Sequence, residues 1–276
     1  MKMDLENIKC NQVMHIKFKN CEFCGKELRP KGLDYLYINA TPGAIEYERC
    51  TCNQAVEHWK NIDFVQYKNE KRNYYRKVIN EIYKQNYMGR RLQEYNFEEF
   101  NVTPYNKKVM QIVKDYLNKC IENKQNEGLI ITGESGVGKT HVAAAIANEL
   151  IEHDKIVLMG RLSSLLDMIK DTFKDNSKSE SELIELFSNV DMIIIDDLGT
   201  EKISSWVLEK LYTIVVNRNE NKLPIIITTR FDKKGLIQRF NQSQDMELAK
   251  AVISKLYQMC YGIVLKSEKE KASISD

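Results

Sequence analysis

One eight-residue segment constrains the fold of this chain more than any other. Residues 133–140 fit the pattern G-x4-G-K-[ST]. A short apolar run at 128–132 predicts a buried strand before it, and an Ala-rich pattern at 141–153 predicts a helix after it. Between a strand and a helix, such a loop presents backbone N–H groups to phosphates, and the helix N-terminus adds positive potential. The segment therefore predicts an α/β domain that binds a nucleotide.

Each polar residue of this loop has an expected role. Lys139 would reach the β- and γ-phosphates, and the Thr140 hydroxyl would ligate Mg²⁺. The residues expected to contact ATP·Mg²⁺ are Gly133, Glu134, Ser135, Gly136, Val137, Gly138, Lys139, Thr140, His141 and, from a later strand, Asp196.

The second half of the site is expected where an apolar strand ends in acidic residues. Residues 192–195 are Met-Ile-Ile-Ile, and Asp196 and Asp197 follow directly. Asp196 would hold Mg²⁺, and Asp197 would polarise the attacking water. Glu201 is close enough in sequence to compete for that role, although capping the next helix is the expected one.

The rest of this region alternates short strands with amphipathic helices. Further strands are predicted at 156–159 and 225–228, a helix at 162–173 and a loop at 174–180. This alternation is typical of a parallel sheet covered by helices on both faces.

The cysteines are unevenly distributed. Of seven, Cys21 and Cys24 form a CxxC pair, and Cys50 and Cys52 form a CxC pair 26 residues later. Two close pairs in a short segment, with Gly25 after the first, indicate a structural four-cysteine zinc site of the zinc-ribbon kind. Scattered reduced thiols or a lone redox pair is the alternative. An odd count without a secretion signal argues against a disulfide framework.

Composition excludes several classes of protein. The 276 residues are 43% hydrophobic, which excludes disorder throughout the chain, and their formal net charge is +2. Apolar runs are too short to span a bilayer, and the N-terminus lacks the apolar stretch of a signal peptide, so we expect a cytoplasmic protein without a membrane partner. Any nucleic acid must bind through a local patch.

We expect three regions along the chain. Residues 1–58 would form the zinc module, with a hairpin whose strands lie at 35–38 and 45–48. Residues 59–100 would form a helical linker, because Tyr75, Val78, Ile79, Ile82 and Tyr83 recur at helical spacing. Residues 101–276 would form the ATPase domain.

The segment after Asp196 is more specific than a general nucleotide site. Residues 196–202 read Asp-Asp-Leu-Gly-Thr-Glu-Lys, and together with Trp206, Asn217, Arg218 and residues 223–229 they resemble the DnaC/DnaI/IstB group of AAA+ ATPases. That group comprises bacterial and phage helicase loaders and transposition helpers. The resemblance extends over residues 88–265 and includes an aromatic segment at 89–100 that in the family lies near the adenine.

The resemblance implies a function. It makes residues 133–140 the Walker A loop and Asp196 and Asp197 the Walker B acids. The chain would load a replicative DnaB-type helicase onto single-stranded DNA, and the zinc module and linker would bind the helicase. The ATPase domain would self-associate head to tail. Candidate DNA contacts lie around the second helix of the ATPase domain: Arg161, Lys170, Lys174 and Lys178.

Two departures from the family pattern predict slow hydrolysis. Relatives commonly end the sensor-1 strand Thr-Thr-Asn, whereas this chain has Thr228, Thr229 and Arg230. We expect Thr229 to take the polar catalytic role, with Arg230 near the γ-phosphate, a neighbouring subunit or DNA. Lys255 stands where relatives often have an arginine that reaches the neighbouring ATP, and Arg239 could replace it.

Two other functions stay open. A transposition helper of the IstB kind would use ATP to select DNA targets, although such helpers generally lack the cysteine module. A non-hydrolysing adaptor would use ATP only to stabilise a conformation, and the changes at the catalytic positions are compatible with it. The absence of an Arg-rich lid disfavours a nucleotide kinase.

Overall fold

The computed structural model describes residues 19–31, 46–84, 90–175, 179–201, 203–241 and 245–266. Their contacts divide the chain into two compact units, Met1–Lys71 and Arg72–Asp276. Most of the predicted hairpin, at 35–38 and 45–48, lies outside the described residues, as does Lys178. No described helix is long and apolar enough to cross a membrane.

The first unit is built around the cysteines. Strand β1 (Lys19–Asn20) pairs antiparallel with β2 (Glu27–Leu28), and the CxxC turn connects them. Helix α1 (Asn53–Lys84) follows the CxC pair directly and begins before the predicted boundary at residue 59. Arg49 fastens the helix to the cysteine segment, because its guanidinium binds both oxygens of Asp63 at 2.6 and 2.8 Å and lies 4.6 Å from the centre of the Trp59 ring.

The second half of α1 belongs to the larger unit. Tyr75, Val78, Ile79 and Ile82 form its buried face, as their helical spacing predicted. Arg72 adds a bidentate ion pair to Asp191, at 2.8 and 3.0 Å. This part of the helix is therefore a component of the core of the larger unit.

The larger unit contains a five-stranded sheet in which every strand pair is parallel. The strands lie in the order β4-β5-β6-β3-β7. Their bounds are β3 Gly128–Thr132, β4 Val157–Arg161, β5 Met192–Asp196, β6 Ile225–Thr229 and β7 Cys260–Val264. The prediction of a parallel sheet is confirmed, but β7 was not predicted. The preceding helix ends at Met259, and Cys260 begins the strand.

Helices cover both faces of this sheet. Along β5, Ile193 and Ile195 pack into one apolar cluster with the second half of α1, whereas Met192 and Ile194 pack into the other with α2 and α3. This alternation follows from the two-residue period of a strand. The helices are α2 Lys107–Ile121, α3 Lys139–Glu152, α4 Leu162–Asp175, α5 Glu180–Asn189, α6 Ser205–Glu220, α7 Lys233–Phe240 and α8 Met246–Met259.

The strand order places the candidate site at one edge of the sheet. Because the strands are parallel, the carboxyl ends of β3, β5 and β6 lie at the same edge, and β3 pairs directly with β6. The glycine-rich loop after β3, the acidic pair at the end of β5 and the Thr-Thr-Arg run at the end of β6 therefore converge.

Candidate functional site

The loop between β3 and α3 depends on its glycines at two points. Gly136 and Gly138 have φ of 84° and 96°, a left-handed region that favours glycine. Gly138 is also the N-cap of α3, and a Cβ there would lie 2.6 Å from the Phe100 ring. The ring of Phe100 thus packs on the loop where the helix begins.

Lys139 is folded back over this loop. Its Nζ donates to the carbonyl oxygens of Gly133 at 2.8 Å and Glu134 at 2.6 Å, and the residue is only 8% exposed. Burial lowers the pKa of Lys139, and the nearby Asp197 carboxylate opposes that shift. The ammonium group is held at the N-terminus of α3, where a phosphate would be bound.

Thr140 and Asp196 lie together, as expected for a Mg²⁺ site. The Thr140 hydroxyl is 2.9 and 3.1 Å from the two carboxylate oxygens of Asp196. A hydroxyl and a carboxylate are oxygen ligands of the type that Mg²⁺ binds beside a nucleotide phosphate. The residues present therefore fit the ion that the sequence predicted.

Thr228 is a site residue that the sequence analysis missed. Its Oγ1 donates to Asp196 Oδ1 at 2.6 Å and accepts the Asp197 backbone N–H at 2.8 Å. The Thr229 hydroxyl instead donates to the Leu198 carbonyl oxygen at 2.7 Å. The hydroxyl that contacts the acidic pair is thus that of Thr228 and not that of Thr229, because successive side chains of a strand point to opposite faces. Counting that alternation would have identified Thr228.

Asp197 lies against Arg230. The guanidinium Nη2 is 3.2 Å from Asp197 Oδ2, and the side chains are 45% and 24% exposed respectively. Asp197 has φ of 54°, an unusual backbone conformation for a residue other than glycine. The candidate water-orienting carboxylate is therefore one partner of an ion pair within its own chain.

Glu201 does not cap the helix that follows it, contrary to expectation. Ser204 is the N-cap of α6, and its hydroxyl accepts from Val207 N. Glu201 Oε1 lies 3.5 Å from the Ser163 backbone N–H in the first turn of α4, and Oε2 is buried with no hydrogen-bond partner among the described residues. Burial raises the pKa of Glu201.

An aromatic segment before α2 is fastened to α3 through His141. The imidazole stacks on Tyr95, with centroids 4.3 Å apart and planes 13° apart, and its Nε2 is 2.7 Å from the Asn96 carbonyl oxygen. Asn148 donates to the carbonyl oxygens of Leu92 and Tyr95. The segment is therefore held beside the glycine-rich loop, where the sequence placed the adenine.

The other predicted cations lie in different parts of the larger unit. Arg161 ends β4 in register with Asp196 and is exposed. Arg239 donates from Nε to the Gly199 carbonyl oxygen at 2.9 Å, so its side chain is engaged within its own chain. Lys255 is partly exposed on α8. The side chains of Lys170 and Lys174 lie outside the described part of the structure.

The first unit brings its four cysteines together. The ligand atoms of Cys21, Cys24, Cys50 and Cys52 all lie within 4.8 Å of one another. A tetrahedron of Zn–S bonds of about 2.3 Å has sulfur–sulfur edges of about 3.8 Å. Two of the pairs, Cys21–Cys52 at 3.9 Å and Cys24–Cys50 at 3.5 Å, are near that length. The donor set therefore fits zinc.

Comparison with known proteins assigns the family. The family model described as IstB-like ATP binding protein matches residues 44–273, so the chain belongs to that family. The fold is that of AAA+ P-loop domains. Among similar proteins, the replicative helicase loader DnaI of Bacillus subtilis (strain 168) is 24% identical over 245 residues, which is 86% of this chain and 73% of that protein.

Other similarities are more local or concern the fold alone. The replicative helicase loader DnaC of Escherichia coli (strain K12) is 38% identical over 95 residues, 34% of this chain and 39% of that protein. A crystal structure of DnaI matches with a TM-score of 0.56 at 24% identity, covering 65% of this chain and 95% of that one. AMPPCP-bound DnaA from Aquifex aeolicus matches with a TM-score of 0.53 at 18% identity, covering 66% and 53%.

Proposed function

We propose that this chain is a cytoplasmic ATPase that loads a replicative DnaB-type helicase onto single-stranded DNA. The observation that carries the proposal is the contact between Thr140 and Asp196 beside Lys139, in a chain that also has a four-cysteine cluster. Similarity to the DnaI loader, which extends over both units, supports it further. Neither feature alone would distinguish a loader from other nucleotide-binding proteins.

The residues of the site have distinct tasks in this proposal. Lys139 and the N-terminus of α3 bind the β- and γ-phosphates. Thr140 and Asp196 hold Mg²⁺, which supplies charge neutralisation for phosphoryl transfer. Asp197 orients the attacking water, and Thr228 fixes the carboxylate of Asp196 through its hydroxyl. Hydrolysis is expected to be slow, because Arg230 and Lys255 depart from the family pattern.

The cysteine cluster has a structural task. Zinc held by Cys21, Cys24, Cys50 and Cys52 would organise the first unit, whose buried apolar residues are few. The first unit, to Lys71, then acts as the helicase-binding part, and the second unit, which includes the buried face of α1 and residues 90–100, acts as the ATPase domain. Exposed Phe64, Val65 and Tyr67 on α1 supply apolar surface for that contact.

Single-stranded DNA and a second copy of the chain are the other proposed partners. Arg161 is an exposed cation at the carboxyl edge of the sheet and can bind phosphate. Lys255 is the candidate for contact with a neighbouring subunit's ATP, because the side chain of Arg239 already donates a hydrogen bond to the Gly199 carbonyl oxygen. Binding of DNA through such contacts falls steeply as salt rises.

A loading assay tests the proposal directly. Zinc-loaded protein, ATP and a DnaB-type helicase are incubated with circular single-stranded DNA, and DNA-bound helicase is measured beside ATP turnover with and without DNA. We expect loading and slow turnover that both disappear in Lys139→Ala. Target-selective DNA binding with no helicase recruitment would instead support an IstB-like helper.

One observation favours a second function. The Arg230–Asp197 ion pair engages the carboxylate that hydrolysis requires, which is compatible with an adaptor that binds ATP without cleaving it. Single-turnover measurement with radiolabelled ATP distinguishes the two. Helicase recruitment that needs ATP binding, with no Lys139-dependent phosphate release, would establish the adaptor.

A further inference from the structure

The side chain of Arg230 extends from the end of one strand to an acidic residue at the end of the neighbouring strand. It follows β6, next to the strand that carries Asp196, and it reaches across to Asp197 at 3.2 Å. Both partners are partly exposed, so the ion pair is not part of the buried core. A contact of this kind contributes little to the stability of the fold.

The backbone of Asp197 is fixed on both sides. Its N–H donates to the Thr228 hydroxyl at 2.8 Å, and its carbonyl oxygen accepts from Thr200 Oγ1 at 2.8 Å. The next N–H, of Leu198, donates to the Thr228 carbonyl oxygen at 2.8 Å. With φ held at 54°, the carboxylate can change position only by rotation of its own side chain. The contact with Arg230 therefore restrains the side-chain rotation that remains.

The ion pair also lies within the electrostatic field of the phosphate-binding lysine. Asp197 raises the pKa of Lys139 and Arg230 lowers it, after the larger effect of burial. Without Arg230, the carboxylate of Asp197 would face the same site as an uncompensated negative charge. A triphosphate, which is itself an anion, would then be repelled by it.

We propose that Arg230 is a positioning residue that restrains and neutralises Asp197, and so keeps ATP turnover slow. This inference rests on the proposed ATPase function. Arg230 acts on the nucleotide through Asp197, because its guanidinium is 3.2 Å from that carboxylate. A guanidinium only donates hydrogen bonds and cannot itself orient a water as an acceptor does. Removing the guanidinium frees the carboxylate to accept from water, while exposing its charge to the phosphates.

A double-mutant cycle on nucleotide affinity separates this role from direct phosphate binding. Arg230→Asn, Asp197→Asn and the double variant are compared with the parent chain for binding of a fluorescent ATP analogue with Mg²⁺. We expect Arg230→Asn to weaken binding about fivefold when Asp197 is present and less than about twofold when it is Asn. Lys234→Gln, which removes an exposed cation from nearby α7, is the matched control and should change nothing.

Turnover is the second measurement. We expect Arg230→Asn to raise kcat about threefold or more, with KM rising as the affinity falls, whereas Arg230→Lys keeps the charge and stays near the parent value. Equal losses of affinity in both Asp197 backgrounds, or a kcat that is unchanged or lower in Arg230→Asn, would overturn the inference. A parent chain whose nucleotide binding does not depend on Lys139 would instead overturn the proposed function itself.

Discussion

Thr228 and Asp196 are joined by a 2.6 Å hydrogen bond from the threonine hydroxyl to carboxylate Oδ1. Thr228 is fully buried and Asp196 is 7% exposed, so water does not replace the contact readily. The same hydroxyl accepts the Asp197 N–H. One side chain therefore sets the position of both acids at the end of β5.

Replacing Thr228 by Val removes the hydroxyl and preserves the shape of the side chain. We expect kcat to fall about 10-fold or more while nucleotide affinity changes little, because Asp196 and the Asp197 N–H each lose a partner worth about 1–3 kcal/mol. Thr228→Ser should retain activity. Steady-state turnover measures the effect, and parent-like kcat in Thr228→Val would contradict it.

Gly136 and Gly138 provide a matched pair in the phosphate loop. Both have positive φ, so alanine at either position costs about 1–2 kcal/mol. At Gly136 there is open space, whereas at Gly138 the new methyl group would lie 2.6 Å from the Phe100 ring. We therefore expect Gly138→Ala to weaken nucleotide binding more than Gly136→Ala.

A third variant checks the cause of that difference. Phe100→Leu shortens the side chain that the Gly138 methyl group would meet, so it should restore part of the affinity lost in Gly138→Ala and none of that lost in Gly136→Ala. Titration with a fluorescent nucleotide measures all the variants. Equal losses at the two glycines, unaffected by Phe100→Leu, would show that backbone strain alone is responsible.

Much of the fold followed from patterns that are local in sequence. Four of the five parallel strands were predicted because each is a short apolar run, and the loop after β3 was found from its glycines and Lys139. Strand β7 was missed because Cys-Tyr-Gly-Ile-Val is short, follows a helix without a break and begins with Cys260, which continues the helical apolar pattern.

The site was predictable in its residue types and less so in its contacts. Asp196 and Thr140 were placed together correctly because strand ends in a parallel sheet converge. The contacts of Arg230 with Asp197 and of Glu201 with Ser163 depend on the directions of side chains from different strands and helices. Residue spacing in the sequence does not predict those directions. The contact of Thr228 with Asp196 was not predicted, but it could have been, because the alternation of side chains along a strand indicates which threonine faces the acids.

Arg218 stabilises the larger unit from a fully buried position. Its guanidinium donates to the carbonyl oxygens of Phe187, Val190, Asp191 and Pro224. Burial lowers its pKa to about 9. We expect Arg218→Met to reduce the free energy of unfolding by about 3–5 kcal/mol, because the carbonyls before β5 and β6 lose their donor.

Lysine does not replace this guanidinium. A single ammonium group cannot reproduce the hydrogen bonds that the guanidinium donates to four carbonyl oxygens. Arg218→Lys should therefore also reduce the free energy of unfolding by about 2 kcal/mol or more. Urea unfolding followed by circular dichroism measures both variants. Arg161→Met, at an exposed position, is the control and should lose less than about 0.5 kcal/mol. A stable Arg218→Met protein would mean that water satisfies the four carbonyls.

Removal of zinc should unfold the first unit and spare the second. In the described part of the first unit, the buried apolar cluster consists of Cys21, Cys50 and Ala55, whereas the sheet has its own core on both faces. Chelation or Cys24→Ser should therefore expose residues 19–71 to protease while changing ATP affinity less than about twofold. Cys120→Ala, outside the cluster, should keep its zinc. Loss of ATP binding on chelation would contradict the separation.

Glu201 should make the larger unit less stable at neutral pH than at acidic pH. Burial raises its pKa, so between the unfolded and folded values the folded state binds the extra proton. The contribution of Glu201 is thus present below pH 4.5 and is lost as pH rises through the folded pKa. Glu201→Gln cannot ionise, so it should stabilise the protein at pH 7 and have little effect near pH 4, with solvent screening keeping the gain small because the residue is partly exposed.

The pH profile separates this effect from a change in packing. Urea unfolding of the parent chain and of Glu201→Gln at several pH values gives the difference in unfolding free energy, which should grow between pH 4 and 7. Glu209→Gln, on the exposed side of α6, should show no such growth. A constant difference across the range would mean that Glu201 has the same pKa in the folded and unfolded states, and that burial does not raise it.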